Sequence, residues 1–110
     1  MKLNDYQEQA LATAKYPGQG GLMGIVYGGL KLNGEAGEFA EHLGKAIRDD
    51  DCITPERRVL MLKELGDVLW YVAALASELH STLDDVAHIN IAKLADRASR
   101  GVLGGSGDNR

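Results

Sequence analysis

A chain of 110 residues makes one domain, and at that size it hides only about 60–70% of its unfolded surface. An apolar fraction of 45% with 25% charged residues excludes a disordered chain, and a net charge of −4 excludes general attraction to a nucleic acid polymer or an anionic membrane. No apolar run approaches the ~20 residues of a membrane span, the start MKLNDYQEQ lacks a signal core, and the lone Cys52 can form no intrachain disulfide, so a cytoplasmic protein is expected.

Four helical segments are legible, and no strand. The first is expected from Asp5 to Lys15, with Asn4 as N-cap, Gln7 at the capping-box position and a thin apolar stripe of Leu3, Tyr6, Ala10 and Ala14. Tyr16–Gly21 is a loop by its Pro and Gly content. The second runs from Leu22 to Arg48, with Phe39, Leu43 and Ile47 as a core stripe. Gly28, Gly29, Gly34 and Gly37 lie inside it, each costing ~1 kcal/mol against Ala. They read as sites of close approach, or as a break near Gly28–Gly29. Asp49–Ile53 is a loop.

The third helix starts at Thr54 as N-cap with Pro55 in the first turn, and runs to Leu79. Leu65, Val68, Leu69, Val72, Leu75 and Leu79 form its broad apolar face. The fourth opens on Ser81-x-x-Asp84, a capping-box spacing, carries Leu83, Val86, Ile89 and Leu94, and stops at Gly101. Residues 103–110, LGGSGDNR, read as an irregular tail that is mobile when free. The chain is thus an all-α, single domain over 1–110, of helical-hairpin or four-helix-bundle type.

Two peptides inside these helices carry the chemistry. Glu35-Ala36-Gly37-Glu38 and Glu64-Leu65-Gly66-Asp67 both read acid-x-Gly-acid. The i, i+3 spacing puts each pair of carboxylates on one helix face, and the glycine between them would let another backbone come close. At ~100° per residue, Glu35, Glu38 and His42 fall within ~60° of one another beside Phe39 and Leu43, and Glu64, Asp67 and Tyr71 do the same beside Val68 and Leu75. The acids flank the seam where two packed helices meet. Four carboxylates gathered there repel, by ~4 kcal/mol for a pair at ~4 Å and an effective dielectric of ~20. A hard divalent cation, Mg²⁺ above all, with Mn²⁺ as a substitute, would neutralise them.

On the fourth helix Asn90, Lys93, Arg97 and Arg100 recur within ~80° of one face, a strip of donors suited to a polyphosphate. Set opposite the carboxylates, it would hold an anion. Lys45 follows Glu38 on the same side, and either touches phosphate or pairs with Glu41. His42 lies beside the acids without being needed as a ligand, and Trp70 is a packing residue. Gly104-Gly105-Ser106-Gly107 lacks the preceding strand and following Lys-Ser/Thr of a phosphate-binding loop.

GGLKLNGEAGEFAEHLGKAIRD, KELGDVLWYVAAL and NINIAKLADRASRGVLGGSGDNR together resemble the MazG-like, all-α nucleoside triphosphate pyrophosphohydrolases. The family signature, ExxE followed after a gap by ExxD, is met by Glu35, Glu38, Glu64 and Asp67. The resemblance implies hydrolysis of a nucleoside triphosphate to monophosphate and pyrophosphate. Those four acids would be Mg²⁺ ligands, Glu35 or Glu38 the group that orients water or takes its proton, and Asn90, Lys93 and Arg97 phosphate contacts. Asp108 and Arg110 would fold over a substrate. Some relatives carry two adjacent acids at the start of the first motif, where this chain has Gly34 before Glu35. A homodimer or homotetramer is expected, because the apolar faces exceed what one hairpin covers. The rival readings are a phosphoribosyl-ATP pyrophosphohydrolase and a non-catalytic helical oligomer that binds metal or nucleotide.

Overall fold

The computed structural model describes all 110 residues as four α-helices and no strand: α1 (Leu3–Leu11), α2 (Leu22–Lys45), α3 (Pro55–Glu78) and α4 (Leu83–Arg100). α2 and α3 are the frame. Gly28 meets Leu75, Glu35 meets Asp67 and His42 meets Glu64, so the two helices run antiparallel. α1 and α4 pack on the outside of α3.

The helix ends show which polar groups the chain spends locally. Thr54 caps α3 by accepting from the Arg57 N–H at 3.2 Å, and Gly101 ends α4 in the left-handed region (φ 72°), both as expected. α1 begins two residues earlier than expected, because Asp5 reaches back to the Lys2 N–H at 3.1 Å, and it ends at Leu11, short of Lys15. Asn4 and Gln7 are freed from capping α1. Asn4 accepts from the Asp84 N–H, and buried Gln7 donates to the Ala73 carbonyl and accepts from the Leu83 N–H. α1 therefore caps α4 and ties it to α3. The N-cap of α4 itself is Thr82, not Ser81; its hydroxyl accepts from the Asp85 N–H at 3.1 Å.

α2 is unbroken at Gly28–Gly29, and beyond Lys45 it widens into a π-helical turn, Ala46–Asp50, where a loop was expected to begin. A Cβ on Gly28 would lie 2.8 Å from Leu75, and one on Gly24 would lie 2.6 Å from the Gly18 carbonyl oxygen. Close approach is thus real at those two positions. Gly29, Gly34, Gly37 and Gly66 have nothing within 4 Å, so the glycines of the two acid motifs admit no neighbour inside one chain. Gly24→Ala is expected to lower stability by about 1–3 kcal/mol through overpacking, against a gain of ~1 kcal/mol in helix propensity. The clashing atom is backbone and cannot swing aside. Gly29→Ala, with open space, should raise stability; urea melts of the two variants check the contrast.

The Tyr16–Gly21 loop is pinned by Glu78. Its carboxylate accepts from the Tyr16 hydroxyl at 2.5 Å and from the Gly20 N–H at 3.0 Å. Burial, then this bond, push the Tyr16 pKa up to about 12, and the same bond lowers that of Glu78. Tyr16 also stacks on Tyr27, 5.9 Å between centroids, and meets the edge of Trp70.

The interior is made of small side chains. Ala46, Ala73, Ala74 and Ala76 with Met61 and Leu83 dominate it, and no large side chain is fully buried. Leu30, Ile47, Leu62, Leu65, Ile89 and Ile91 are all exposed. The radius of gyration is 16.6 Å, against about 13 Å for a compact domain of this length.

Candidate metal and phosphate site

The antiparallel register of α2 and α3 sets the two acid motifs side by side. Oxygens of Glu35, Glu64 and Asp67 all lie within 4.8 Å of one another. Glu35 and Glu64 are half-buried at the seam and Asp67 is exposed. Three of the four expected ligands therefore converge. Glu38 is exposed and stands outside the trio, though its charge still acts on Glu35.

The electrostatics follow from that crowding. Glu35 is held above the ordinary carboxylate range by burial first, then by the charge of Asp67, with smaller contributions from Glu64 and Glu38; only Lys31, one turn earlier on α2, opposes them. The cleft beside the trio, about 340 Å³, is lined by Glu35, Asp67, Trp70 and Tyr71. Tyr71 is raised by burial, then by Tyr27, Glu35 and Asp67, and Tyr6 of α1 is raised by burial and then by Asp67. Tyr71 thus borders the carboxylates, and Trp70, which donates to the Ala10 carbonyl at 3.2 Å, forms part of the wall.

The donor set suits a hard cation. Three carboxylate oxygens within 4.8 Å of one another lie within reach of a single ion. All three donors are carboxylate oxygens, the type such cations prefer. His42 stands at the edge, its Nε2 at 3.5 Å from Glu64 Oε1.

The strip on α4 is also built. α4 packs against α1 and α3. Lys93 Nζ and Arg97 Nη2 both reach one oxygen of Asp108 at 3.0 Å, and Arg97, whose side chain is only 5% exposed, has a buried Nε with no partner. Arg100 pairs with Asp96, and Asn90 is exposed. The tail folds back onto α4: Arg110 donates to the Val102 and Leu103 carbonyls. Lys45 pairs with Glu41 at 3.9 Å.

Sequence reasoning passed over Lys31, Tyr6, Tyr27 and Arg57. Lys31 and Tyr27 could have been found from their i, i+4 and i, i+8 spacing to Glu35 on α2; Tyr6 and the Arg57–His42 contact come from tertiary packing, which leaves no local signal.

Four helices, no strand and a trio of convergent carboxylates define an all-α protein with a site of the kind that holds a divalent cation. The chain belongs to the MazG nucleotide pyrophosphohydrolase domain family, whose sequence profile matches residues 29–102. It is 47% identical over 114 residues to the gene 37 protein of Mycobacterium phage L5, with 100% of both chains covered. No solved structure matches it. Membership places this chain among the nucleotide pyrophosphohydrolases, a divalent-metal-dependent family of hydrolases.

Proposed function

We propose that the protein hydrolyses nucleoside or deoxynucleoside triphosphates to the monophosphate and pyrophosphate, with Mg²⁺ as its cofactor, and so clears unwanted nucleotides from the cytoplasmic pool. The observation that carries this reading is the convergence of Glu35, Glu64 and Asp67 on an open cleft walled by Trp70 and Tyr71. The reaction breaks the bond between the α phosphorus and the bridging oxygen, with water as nucleophile. Glu35, Glu64 and Asp67, joined by Glu38, would hold the cation, which when bound supplies Lewis acidity toward phosphate oxygens.

The chain's own groups do the rest. Glu35, half-buried at the trio, with Glu38 on the same helix face, is assigned as the group that orients water and takes its proton. Lys93 and Arg97, with Asn90 and Arg100 flanking, neutralise the departing pyrophosphate. Tyr71 borders the cleft, and Lys45 is left to Glu41. Asp108 places its carboxylate where a phosphate oxygen would sit between Lys93 and Arg97, and Arg110 anchors that tail. An exposed carboxylate holds such a pair only weakly, so Asp108→Asn is expected to lower KM for the triphosphate by up to about fivefold. A rise in KM would show instead that Asp108 serves the bound substrate.

The working form in this proposal is a homodimer or homotetramer. A half-exposed apolar surface over an alanine interior, and a radius of gyration above that of a compact domain, both call for a second copy. Incubation with triphosphates in the presence and absence of Mg²⁺, followed by phosphorus NMR of the products, tests the reaction. Turnover of phosphoribosyl-ATP alone would assign the chain to that substrate, and metal-dependent stabilisation without any turnover would make it a binding protein.

A further inference from the structure

Arg57 occupies an expensive position. It is the third residue of α3, where the helix dipole disfavours a cation. Its side chain is only 17% exposed, and its buried Nε has no hydrogen-bond partner. Two contacts account for its placement. Nη2 lies 3.7 Å from Asp50, which the π-helical turn after α2 carries toward α3. Nη1 bonds to His42 Nδ1 at 3.3 Å.

The second contact fixes a proton. A guanidinium has donors only, so His42 Nδ1 must accept, and the imidazole proton is left on Nε2. Nε2 is the atom 3.5 Å from Glu64 Oε1. A continuous chain thus runs from Asp50 through Arg57 and His42 to one of the three convergent carboxylates.

We propose that Arg57 and His42 are positioning residues, a relay in which Arg57 selects the His42 tautomer whose Nε2–H steadies the Glu64 carboxylate for a divalent cation. The inference rests on the reading of Glu35, Glu64 and Asp67 as cation ligands, and assigns Arg57 a role that the acid motifs do not reveal. Carboxylate ligands are themselves oriented by hydrogen bonds, and loss of such a partner costs about 10–100-fold in metal affinity.

Two substitutions at one position separate orientation from packing. His42→Gln keeps an amide N–H near the Nε2 position, while His42→Asn keeps a polar group only near Nδ1. Titration of the intact protein with Mn²⁺ alone, read by electron paramagnetic resonance, should show wild-type-like affinity for His42→Gln and a loss of about tenfold or more for His42→Asn. Nitrogen-15 NMR of the metal-free wild type should show His42 as the Nε2–H tautomer, and Arg57→Leu should remove that preference. Equal affinity of the two position-42 variants, or an Nδ1–H tautomer in the wild type, would overturn the relay while leaving the metal site standing. Failure of the wild type itself to bind Mn²⁺ would overturn the metal site and the relay with it. The position-42 pair and the wild-type spectrum decide the matter even where Arg57→Leu does not fold.

Discussion

Asp67→Asn is expected to lower kcat/KM by about 10²–10³, because a bound cation contributes several kcal/mol of charge stabilisation to the transition state. Glu35→Gln should be as damaging to turnover, and it carries a second signature. Like charges at 4.8 Å, the widest separation in the trio, repel by about 3.5 kcal/mol at an effective dielectric of ~20. Exposure of Asp67 to water reduces that further. Removing one charge should therefore raise the melting temperature of the metal-free protein by a few degrees, at about 4–8 °C per kcal/mol for a domain of this size. The wild type should make up the difference when Mn²⁺ is added, since a ligand at about 100 times its Kd stabilises by ~2.7 kcal/mol. Glu35→Gln should gain little. Scanning calorimetry with and without the ion checks both halves. A Glu35→Gln protein that melts lower without metal, or one that turns over normally, would contradict the assignment of the trio.

The second large effect concerns association. Leu62, Leu65 and Leu69 repeat along one face of α3 and are exposed to 49%, 47% and 38%. Leu43 on α2 and Ile47 in the π-helical turn after it are exposed as well. Full burial of a leucine side chain is worth about 1.5–3 kcal/mol, so covering this stripe with a second copy would stabilise the chain by several kcal/mol. Leu62→Lys combined with Leu69→Lys is expected to convert the oligomer to monomer and to lower its melting temperature. Sedimentation velocity reads the first effect directly. A wild-type protein that already sediments at 11.8 kDa would contradict the proposal of a homodimer or homotetramer.

The particulars show what a sequence can and cannot encode locally. Helix periodicity, Thr54-Pro55 and Gly101 are local signals, and the ends they mark are where they should be. The i, i+3 acids were legible for the same reason: helical geometry alone puts Glu64 and Asp67 on one face. What periodicity does not contain is register. It brought Glu35 to the trio but left Glu38 outside it, because the α2–α3 packing favours the residue nearer the seam. Nor does it contain long-range hydrogen bonding. Asn4 and Gln7 looked like capping residues, yet their partners lie 66 to 80 positions away. The glycines of the acid motifs suggested close approach, but within α2 and α3 of one chain only Gly24 and Gly28 have it. The α4 strip read as an anion site facing the carboxylates. In the folded chain Asp108 is seated on its Lys93 and Arg97, and α4 is packed on α1 and α3. Arg57 gave no local signal, since its contact is with a histidine fifteen residues earlier.

The central claim is the bond that is cut. The most direct test is phosphorus NMR of the products after incubation with each standard NTP and dNTP, and with dUTP, with and without Mg²⁺. Monophosphate and pyrophosphate, formed only with the metal, are the expected result. Diphosphate and inorganic phosphate would contradict it, because they require attack at the terminal phosphorus instead of the α phosphorus.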